Sequence, residues 1–317
     1  MSKNNINLSE HYFISYFKDL LSIKYAYEIT NFLLKKSKLS IGDFEKKWDS
    51  YDLIFGKEYG NKISALSFAT IIEARGILLN NILKSREIDN NLIVELASGF
   101  TPRGLNLVNK GTTNYIETDK ENVIKLKHNF YEYLNSIDIK TPQIKTLDVL
   151  DRHHFKELYD LIKVEKLKNN NLEQITLLSE GLVIYLDKIE QKQFFDNLRE
   201  LAKLLKEINI KMTYLTIDMP THENFTNWLV HEDFSLKDHL DVMSKVEPKI
   251  IESLHNTQND FTTYNSLGEL KKYYYDEEII TSLKTPKLAK YKKIKNLKEK
   301  INTFLKQDIL FAWEVEI

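Results

Sequence analysis

The residues best placed to do chemistry lie in or just after two short runs, 92–96 and 115–119, of which the first is apolar and predicts a buried strand and the second predicts another strand. Gly99 follows the first run, and the second ends in Asp119. In an open parallel sheet, ligands bind beyond the carboxyl ends of the strands. A glycine there lets the backbone approach a ligand closely, and an acid about 20 residues further on accepts hydrogen bonds from ribose hydroxyls. Glu95, Gly99 and Asp119 therefore predict a nucleoside site.

The loop after the first run distinguishes between kinds of nucleoside. Dinucleotide-binding sheets use the pattern G-x-G-x-x-G, which seats a pyrophosphate at a helix N-terminus. Residues 97–104 instead read ASGFTPRG, and the bulky Phe100 and Pro102 do not suit a phosphate cradle. S-adenosylmethionine has a ribose and an adenine but no phosphate, so it is the cofactor predicted here. A nicotinamide-dependent oxidoreductase on the same sheet is the competing interpretation, and the glycine-poor loop argues against it.

Strand and helix character alternate along the chain after residue 89. Strands are predicted at 92–96, 115–119, 143–147, 174–185, 211–218, 260–264 and 309–317, and helices at 104–110, 120–133, 188–205 and 267–275. Such alternation favours an α/β fold, a mostly parallel sheet with helices on both faces. Helical periodicity over 10–37 and 64–84 predicts an N-terminal helical cap, residues 1–88, followed by a cofactor-binding core, residues 89–317.

Four segments resemble motifs of the leucine carboxyl methyltransferase family, in the family's order and spacing. They are EARGILLNNIL (73–83), VELASGFTPRGL (94–105), YIETDKENVIKLK (115–127) and LLSEGLVIYLD (177–187). The resemblance implies a Rossmann-like class I methyltransferase fold with a mostly parallel seven-stranded sheet. The implied activity is that of an S-adenosylmethionine-dependent O-methyltransferase. The N-terminal segment and the C-terminal third of the chain have no match.

The same resemblance implies a role for several matched residues. Arg75 would pair with the carboxylate of the methionine part of the cofactor, a charge-assisted contact. Gly99 would pass close beneath the cofactor, and Asp119 would hold the ribose. Glu117 is the alternative to Asp119, because residues two apart on a strand point to the same face. The structural alternative for Arg75 is a surface position on a cap helix.

The remaining implied site residues follow the third and fourth strands. Asp148 and Val149 would lie beside the adenine, although an Asp at this position is also typical of a helix N-cap. Glu180 would lie beside the cofactor, although a lone acid in an apolar strand needs a partner that a salt bridge would also supply. Tyr185 would face the substrate as the catalytic candidate, or else lie in the core.

Two departures from the family motif have structural consequences. Ala97 replaces a glycine, so we expect the turn to avoid positive φ at this position. Thr101 and Pro102 replace an Asp-Thr pair, whereas Arg103 is retained. Loss of that Asp would alter substrate preference, and neither departure is expected to abolish cofactor binding.

Composition argues against several other classes of function. The chain has no Cys, which excludes disulfides, thiol catalysis and Cys-ligated metals. The formal net charge of −1 gives no field that attracts nucleic acid, which disfavours an RNA methyltransferase. The Lys-rich segment 284–306 is predicted to be a solvated amphipathic helix, with a phosphate-binding surface as the alternative. His153 and His154 are adjacent and point apart, so no metal site is predicted.

No basic region followed by an apolar run begins the chain, and no stretch reaches about 18 apolar residues, so we expect a cytoplasmic protein that does not contact a membrane.

The sequence leaves the methyl acceptor open. The expected acceptor is an oxygen of a small molecule or of a peptide C-terminus. A carboxylate needs no general base, whereas a hydroxyl does; since no base is evident, a carboxylate is favoured. A non-catalytic regulatory protein that binds S-adenosylmethionine is the alternative function.

Overall fold

Helices and strands alternate through the part of the chain that a computed structural model describes: residues 23–37, 65–86, 90–112, 114–218, 267–276, 279 and 311–317. The helices are α1 (Ala26–Ser37), α2 (Ala65–Lys84), α3 (Arg103–Val108), α4 (Glu121–Asn135), α5 (Arg152–Lys168) and α6 (Lys188–Glu207). The strands are β1 (Asn91–Leu96), β2 (Tyr115–Asp119), β3 (Gln143–Thr146), β4 (Gln174–Ser179), β5 (Lys211–Thr216), β6 (Leu270–Tyr273) and β7 (Ala312–Glu316). A short 3-10 helix, Val183–Tyr185, follows β4.

The strands form one sheet in the order β3-β2-β1-β4-β5-β7-β6. The first five strands are parallel, and β7 is antiparallel to both of its neighbours. The order runs outward from β1 in both directions, so β1 and β4 meet where the connections reverse. An open α/β sheet leaves a ligand crevice at this point, beyond the carboxyl ends of the strands. The predicted mostly parallel seven-stranded sheet is confirmed.

Alternate residues of the central strands contribute to two separate cores. Leu92 and Val94 of β1 pack with apolar residues of α5 and α6, whereas Ile93 packs with Leu78 and Leu79 of α2. A strand that is buried on both faces needs apolar residues at nearly every position. This explains why apolar residues occupy most of the run 92–96, and the packing confirms that helices cover both faces of the sheet.

The fourth strand ends earlier than the sequence predicts. β4 ends at Ser179, because Gly181 has a φ of 73° and the chain then leaves the sheet. The backbone N–H groups of Gly181, Leu182 and Val183 all donate to the carboxylate of Asp218 instead of to a neighbouring strand. The predicted strand over 174–185 is therefore too long, and residue 180 lies just beyond its carboxyl end.

The predicted helix over 267–275 is wrong, because this segment contains β6. It pairs with β7 in antiparallel register, and that tertiary pairing outweighs the local helical pattern. Gly268 makes the approach possible, because a Cβ at this position would lie 2.5 Å from the carbonyl oxygen of Glu316. The final strand predicted at 309–317 is confirmed as β7. The predicted strand at 260–264 and the predicted Lys-rich helix lie outside the described residues.

The two described N-terminal helices pack against the rest of the chain. Ala74, Leu78 and Leu83 of α2 belong to the same apolar cluster as strand residues. Phe32 of α1 contacts Phe130 of α4, with ring centroids 4.9 Å apart. The predicted helix over 64–84 is confirmed as α2, and the helix predicted over 10–37 is confirmed for Ala26–Ser37, whereas the described residues 23–25 before it are not helical. The division into a cap, residues 1–88, and a core, residues 89–317, stays a prediction.

We expect Gly104→Ala to lower the free energy of unfolding by about 1–3 kcal/mol, as overpacking typically does. A methyl group on Gly104 would overlap the Glu117 carboxylate and lie 2.9 Å from Cε1 of Tyr115. Gly76→Ala in α2 is the matched control, because no described atom lies within 4 Å of its Cβ position, and it should raise stability by about 0.5–1 kcal/mol. Urea denaturation of both variants measures the difference, and equal effects would contradict this packing.

Candidate functional site

The loop that follows β1 makes a tight turn at the carboxyl edge of the sheet. Ala97 and Gly99 both have a φ of 48°, so the prediction that Ala97 avoids positive φ is wrong. The turn is fixed on both sides of Ser98: its backbone N–H donates to the Thr118 carbonyl at 2.9 Å, and the Gly99 N–H donates to Oδ2 of Asp119 at 2.7 Å. These bonds hold Ala97 in a conformation that costs an alanine about 1–2 kcal/mol.

The two acids of β2 have different environments. Glu117 is fully buried, and its Oε2 accepts from Nζ of Lys127 at 2.7 Å and from the Tyr131 hydroxyl at 2.5 Å. Asp119 lies at the end of the strand, where it accepts from two backbone N–H groups, those of Gly99 and Lys120. Each Asp119 oxygen retains a lone pair for a further donor. Asp119, rather than Glu117, is therefore the β2 acid at the rim of the crevice.

Lys127 supports the loop from below, a role that the sequence did not reveal. Its ammonium group is 1% exposed and donates to Oγ of Ser98 at 2.8 Å as well as to Glu117. Burial of both charges is tolerated because they are paired and hydrogen-bonded. The Ser98 side chain, and with it the loop, is thereby linked to α4.

A second buried network joins β1 to the segment after β4. The Arg103 guanidinium bridges Oε1 of Glu95 and Oε2 of Glu180, and its Nε donates to Asn80 of α2 at 3.2 Å. The Tyr115 hydroxyl donates to Oε2 of Glu95. Both Glu95 oxygens are thus occupied by protein donors, and its side chain is 2% exposed. The predicted cofactor residue Glu95 lies beneath the rim, not on it.

The charge states of this network follow from burial and pairing. Burial lowers the pKa of the Arg103 guanidinium, but the charges of Glu95 and Glu180 outweigh that effect and raise the pKa above its ordinary value. Burial raises the pKa of the Tyr115 hydroxyl, and the Glu95 charge raises it further. Arg103 therefore stays charged and Tyr115 stays a neutral donor at neutral pH.

Arg75 of α2 lies between two acids at the same edge. Its Nε is 3.9 Å from Oε1 of Glu180, and its Nη2 is 3.9 Å from Oδ1 of Asp218. Both distances exceed hydrogen-bonding range, and the buried Nε has no hydrogen-bond partner among the described residues. The sequence predicted Arg75 and Glu180 as separate site residues, and the structure places their charged groups 3.9 Å apart.

The segment after β3 provides one rim residue and one core residue. The Asp148 side chain is 33% exposed, and its Oδ2 lies 3.7 Å from Nζ of Lys120. Val149 is 4% exposed and packs in the core, with its carbonyl accepting from Asn197 at 3.0 Å. Asp151, rather than Asp148, is the N-cap of α5, so the structural alternative for Asp148 does not apply.

Tyr185 lies in the 3-10 turn that follows Glu180. It is 43% exposed, so the alternative of a core tyrosine is wrong. The turn is anchored at its start by the three backbone N–H groups that donate to Asp218. The sequence did not single out Asp218, although its position at the end of the fifth predicted strand matches that of Asp119 on the second.

The described residues include no group of three or more His, Asp or Glu side chains arranged to hold a metal ion. None of the described helices is both long enough and apolar enough to cross a membrane.

Comparison with known proteins gives only remote structural matches. Neither a scan against protein-family models nor a search of curated proteins finds a match. A SAM-dependent methyltransferase from Archaeoglobus fulgidus is 14% identical, with a TM-score of 0.36 over 78% of this chain and 93% of that chain. The methyltransferase domain of bacterial CtHen1 is 11% identical (TM-score 0.38, covering 78% and 100%). A duf574 family protein from Streptomyces avermitilis is 10% identical (TM-score 0.41, covering 84% and 95%). All three TM-scores lie below 0.5, so the structural similarity is remote.

We expect Arg103→Met to lower the free energy of unfolding by about 3–5 kcal/mol, because it removes the guanidinium bonded to the buried Glu95 and leaves Glu180 only the more distant Arg75. The matched control is Arg152→Met, which removes an ion pair with Glu200 from a side chain that is 75% exposed, and it should leave stability unchanged. Chemical denaturation measures both. Equal stability of the two variants would show that the Arg103 bridge is not a structural requirement.

Proposed function

We propose that the chain binds S-adenosylmethionine across the carboxyl ends of β1 and β2 and transfers its methyl group to an oxygen. The observation that carries the proposal is the pairing of Gly99 with Asp119 at the rim, at 2.7 Å, beside a loop without a phosphate cradle. A loop backbone beside a rim carboxylate suits a ribose. The bulky Phe100 and Pro102 in the same loop disfavour a pyrophosphate.

The side chains at the edge fit the parts of this cofactor. Asp119 would accept the ribose hydroxyls, and the half-exposed Asp148 would accept the exocyclic amine of the adenine. Arg75 would bind the carboxylate of the amino-acid end, and its unpaired Nε supports this role. Glu180 carries the opposite charge for the ammonium group. Val149 would support the adenine by packing in the core beneath it.

In this proposal Glu95 acts indirectly. Its carboxylate is held by Arg103 and Tyr115, so it would set the position of Arg103 and through it that of Glu180. We propose Glu95 as a positioning residue rather than a ligand-contacting one. Gly99 would lie beneath the cofactor, as the sequence predicts.

When bound, S-adenosylmethionine supplies a methyl group on a positively charged sulfur, which is already an activated leaving group. The residues of this chain would have to orient the two reactants in line and exclude water. A carboxylate acceptor is ionised at neutral pH and needs no proton removed, whereas a hydroxyl acceptor needs a base. The resemblance to leucine carboxyl methyltransferases supports a carboxylate of a small molecule or peptide C-terminus. Tyr185, exposed on the anchored turn, would orient the acceptor oxygen through its hydroxyl.

Isothermal titration calorimetry tests the cofactor. We expect S-adenosylhomocysteine to bind and NAD not to bind. Asp119→Ala should weaken S-adenosylhomocysteine binding by about 1–3 kcal/mol, the cost of losing a charged hydrogen-bond partner. Glu121→Ala is the control, because that acid is two residues further on and its side chain is 68% exposed; it should leave the dissociation constant unchanged. Preferential binding of NAD would contradict the proposal.

Radiolabelled methyl transfer to a panel of small carboxylic acids and alcohols tests the reaction. With a carboxylate acceptor, Tyr185→Phe should lower kcat/KM by about threefold to tenfold, the loss of one hydrogen bond. A fall of about 100-fold or more would indicate a general base and hence a hydroxyl acceptor. Binding of the cofactor without transfer to any acceptor, in any variant, would favour the non-catalytic regulatory protein.

A further inference from the structure

Two buried polar atoms on the face of the sheet that α2 covers have no hydrogen-bond partner among the described residues: Nε of Arg75 and the hydroxyl of Tyr275. Tyr275 is 6% exposed. Buried polar groups in native proteins are nearly always paired, because an unpaired one costs its full desolvation free energy. Two unpaired donors in one region therefore indicate a ligand group that accepts hydrogen bonds.

The topology brings Tyr275 to Arg75. β6 is parallel to β5, since each is antiparallel to β7, so the segment after β6 lies at the same edge as Asp218. Tyr275 shares an apolar cluster with Ala74 and Leu78, which flank Arg75 on α2. Burial raises the pKa of the Tyr275 hydroxyl, and the charge of Arg75 lowers it while that of Glu180 raises it. The side chains of Tyr275, Arg75 and Glu180 therefore lie in one small region of the structure.

The charges around this region select the class of ligand. Glu180 and Asp218 approach Arg75 to 3.9 Å, so a purely anionic ligand would meet two carboxylates as well as the guanidinium. A zwitterion avoids this repulsion, because its ammonium group faces the acids while its carboxylate faces the two unpaired donors. An α-amino acid end has this distribution of charge.

We infer that Tyr275 is a further ligand-binding residue, whose hydroxyl donates to the carboxylate of a zwitterionic amino-acid end beside Arg75. The inference rests on the proposed function, because S-adenosylmethionine and S-adenosylhomocysteine both carry such an end. It adds a residue from the C-terminal part of the chain, for which the sequence motifs gave no match.

The test compares two nucleosides in calorimetric titrations of wild type and Tyr275→Phe. S-adenosylhomocysteine carries the amino-acid end, and 5′-methylthioadenosine lacks it. Tyr275→Phe should weaken S-adenosylhomocysteine binding about tenfold, as expected for one hydrogen bond to a charged group, and leave 5′-methylthioadenosine binding unchanged. Tyr273→Phe is the matched control on β6, because its hydroxyl donates to Glu314 at 2.5 Å; both affinities should stay at wild-type values.

The melting temperature of the ligand-free Tyr275→Phe variant checks its folding, and it should equal or exceed that of wild type because no hydrogen bond is lost. Unchanged binding of S-adenosylhomocysteine by this variant would overturn the inference while leaving the proposed function intact. Equal weakening of both nucleosides would also overturn it, because the effect would then not depend on the amino-acid end. If wild type binds neither nucleoside, the proposed function fails, and the inference fails with it.

Discussion

The carboxyl edge of this sheet depends above all on one buried cation, the guanidinium of Arg103. Glu95 is the penultimate residue of β1 and lies on the same face as Glu117, its neighbour across the β1–β2 register, and Glu180 follows the adjacent β4. Acids this close and this buried cannot all stay ionised without countercharges. Arg103 satisfies two of them at once, and Lys127 satisfies Glu117. Both cations come from the helices that follow β1 and β2, so the pairing also fixes these helices on the sheet.

This pairing divides the acids into two groups: the floor, which is the buried acids beneath the crevice, and the rim, which is the acids at the strand ends. Glu95 and Glu117 are enclosed, with both oxygens of Glu95 and Oε2 of Glu117 bonded to protein donors, whereas Asp119 and Asp148 lie at strand ends with lone pairs that remain available to a ligand. Glu180 belongs to both groups, because one oxygen meets Arg103 and the other lies 3.9 Å from Arg75. A rigid, charge-paired floor beneath an acidic rim is an arrangement that holds ligand-contacting residues in place before binding.

The sequence predicted those features that depend on strand pattern and motif order. The first three strands, the fifth and the last were predicted at their observed places. Asp119 was preferred over Glu117 as the ribose-binding acid, and the structure encloses Glu117 and places Asp119 at the end of β2, while its ribose contact stays a prediction. Features set by tertiary partners were missed. Ala97 adopts positive φ because the bonds of Ser98 and Gly99 hold it there, β6 exists because β7 pairs with it, and Glu95 is enclosed because Arg103 folds back from α3. The sheet topology brings Tyr275 to the edge where Arg75 lies, and no local pattern encodes that topology.

We propose that a nucleoside lies across the carboxyl ends of β1 and β2, with the Gly99 backbone beneath it and Asp119 bonded to its sugar. A crystal structure of the complex with S-adenosylhomocysteine tests this most directly. The account predicts ribose hydroxyls within hydrogen-bond distance of Asp119 and the amino-acid end near Arg75. Density for the compound at another place, with Asp119 still bonded only to the Gly99 and Lys120 backbone, would contradict it.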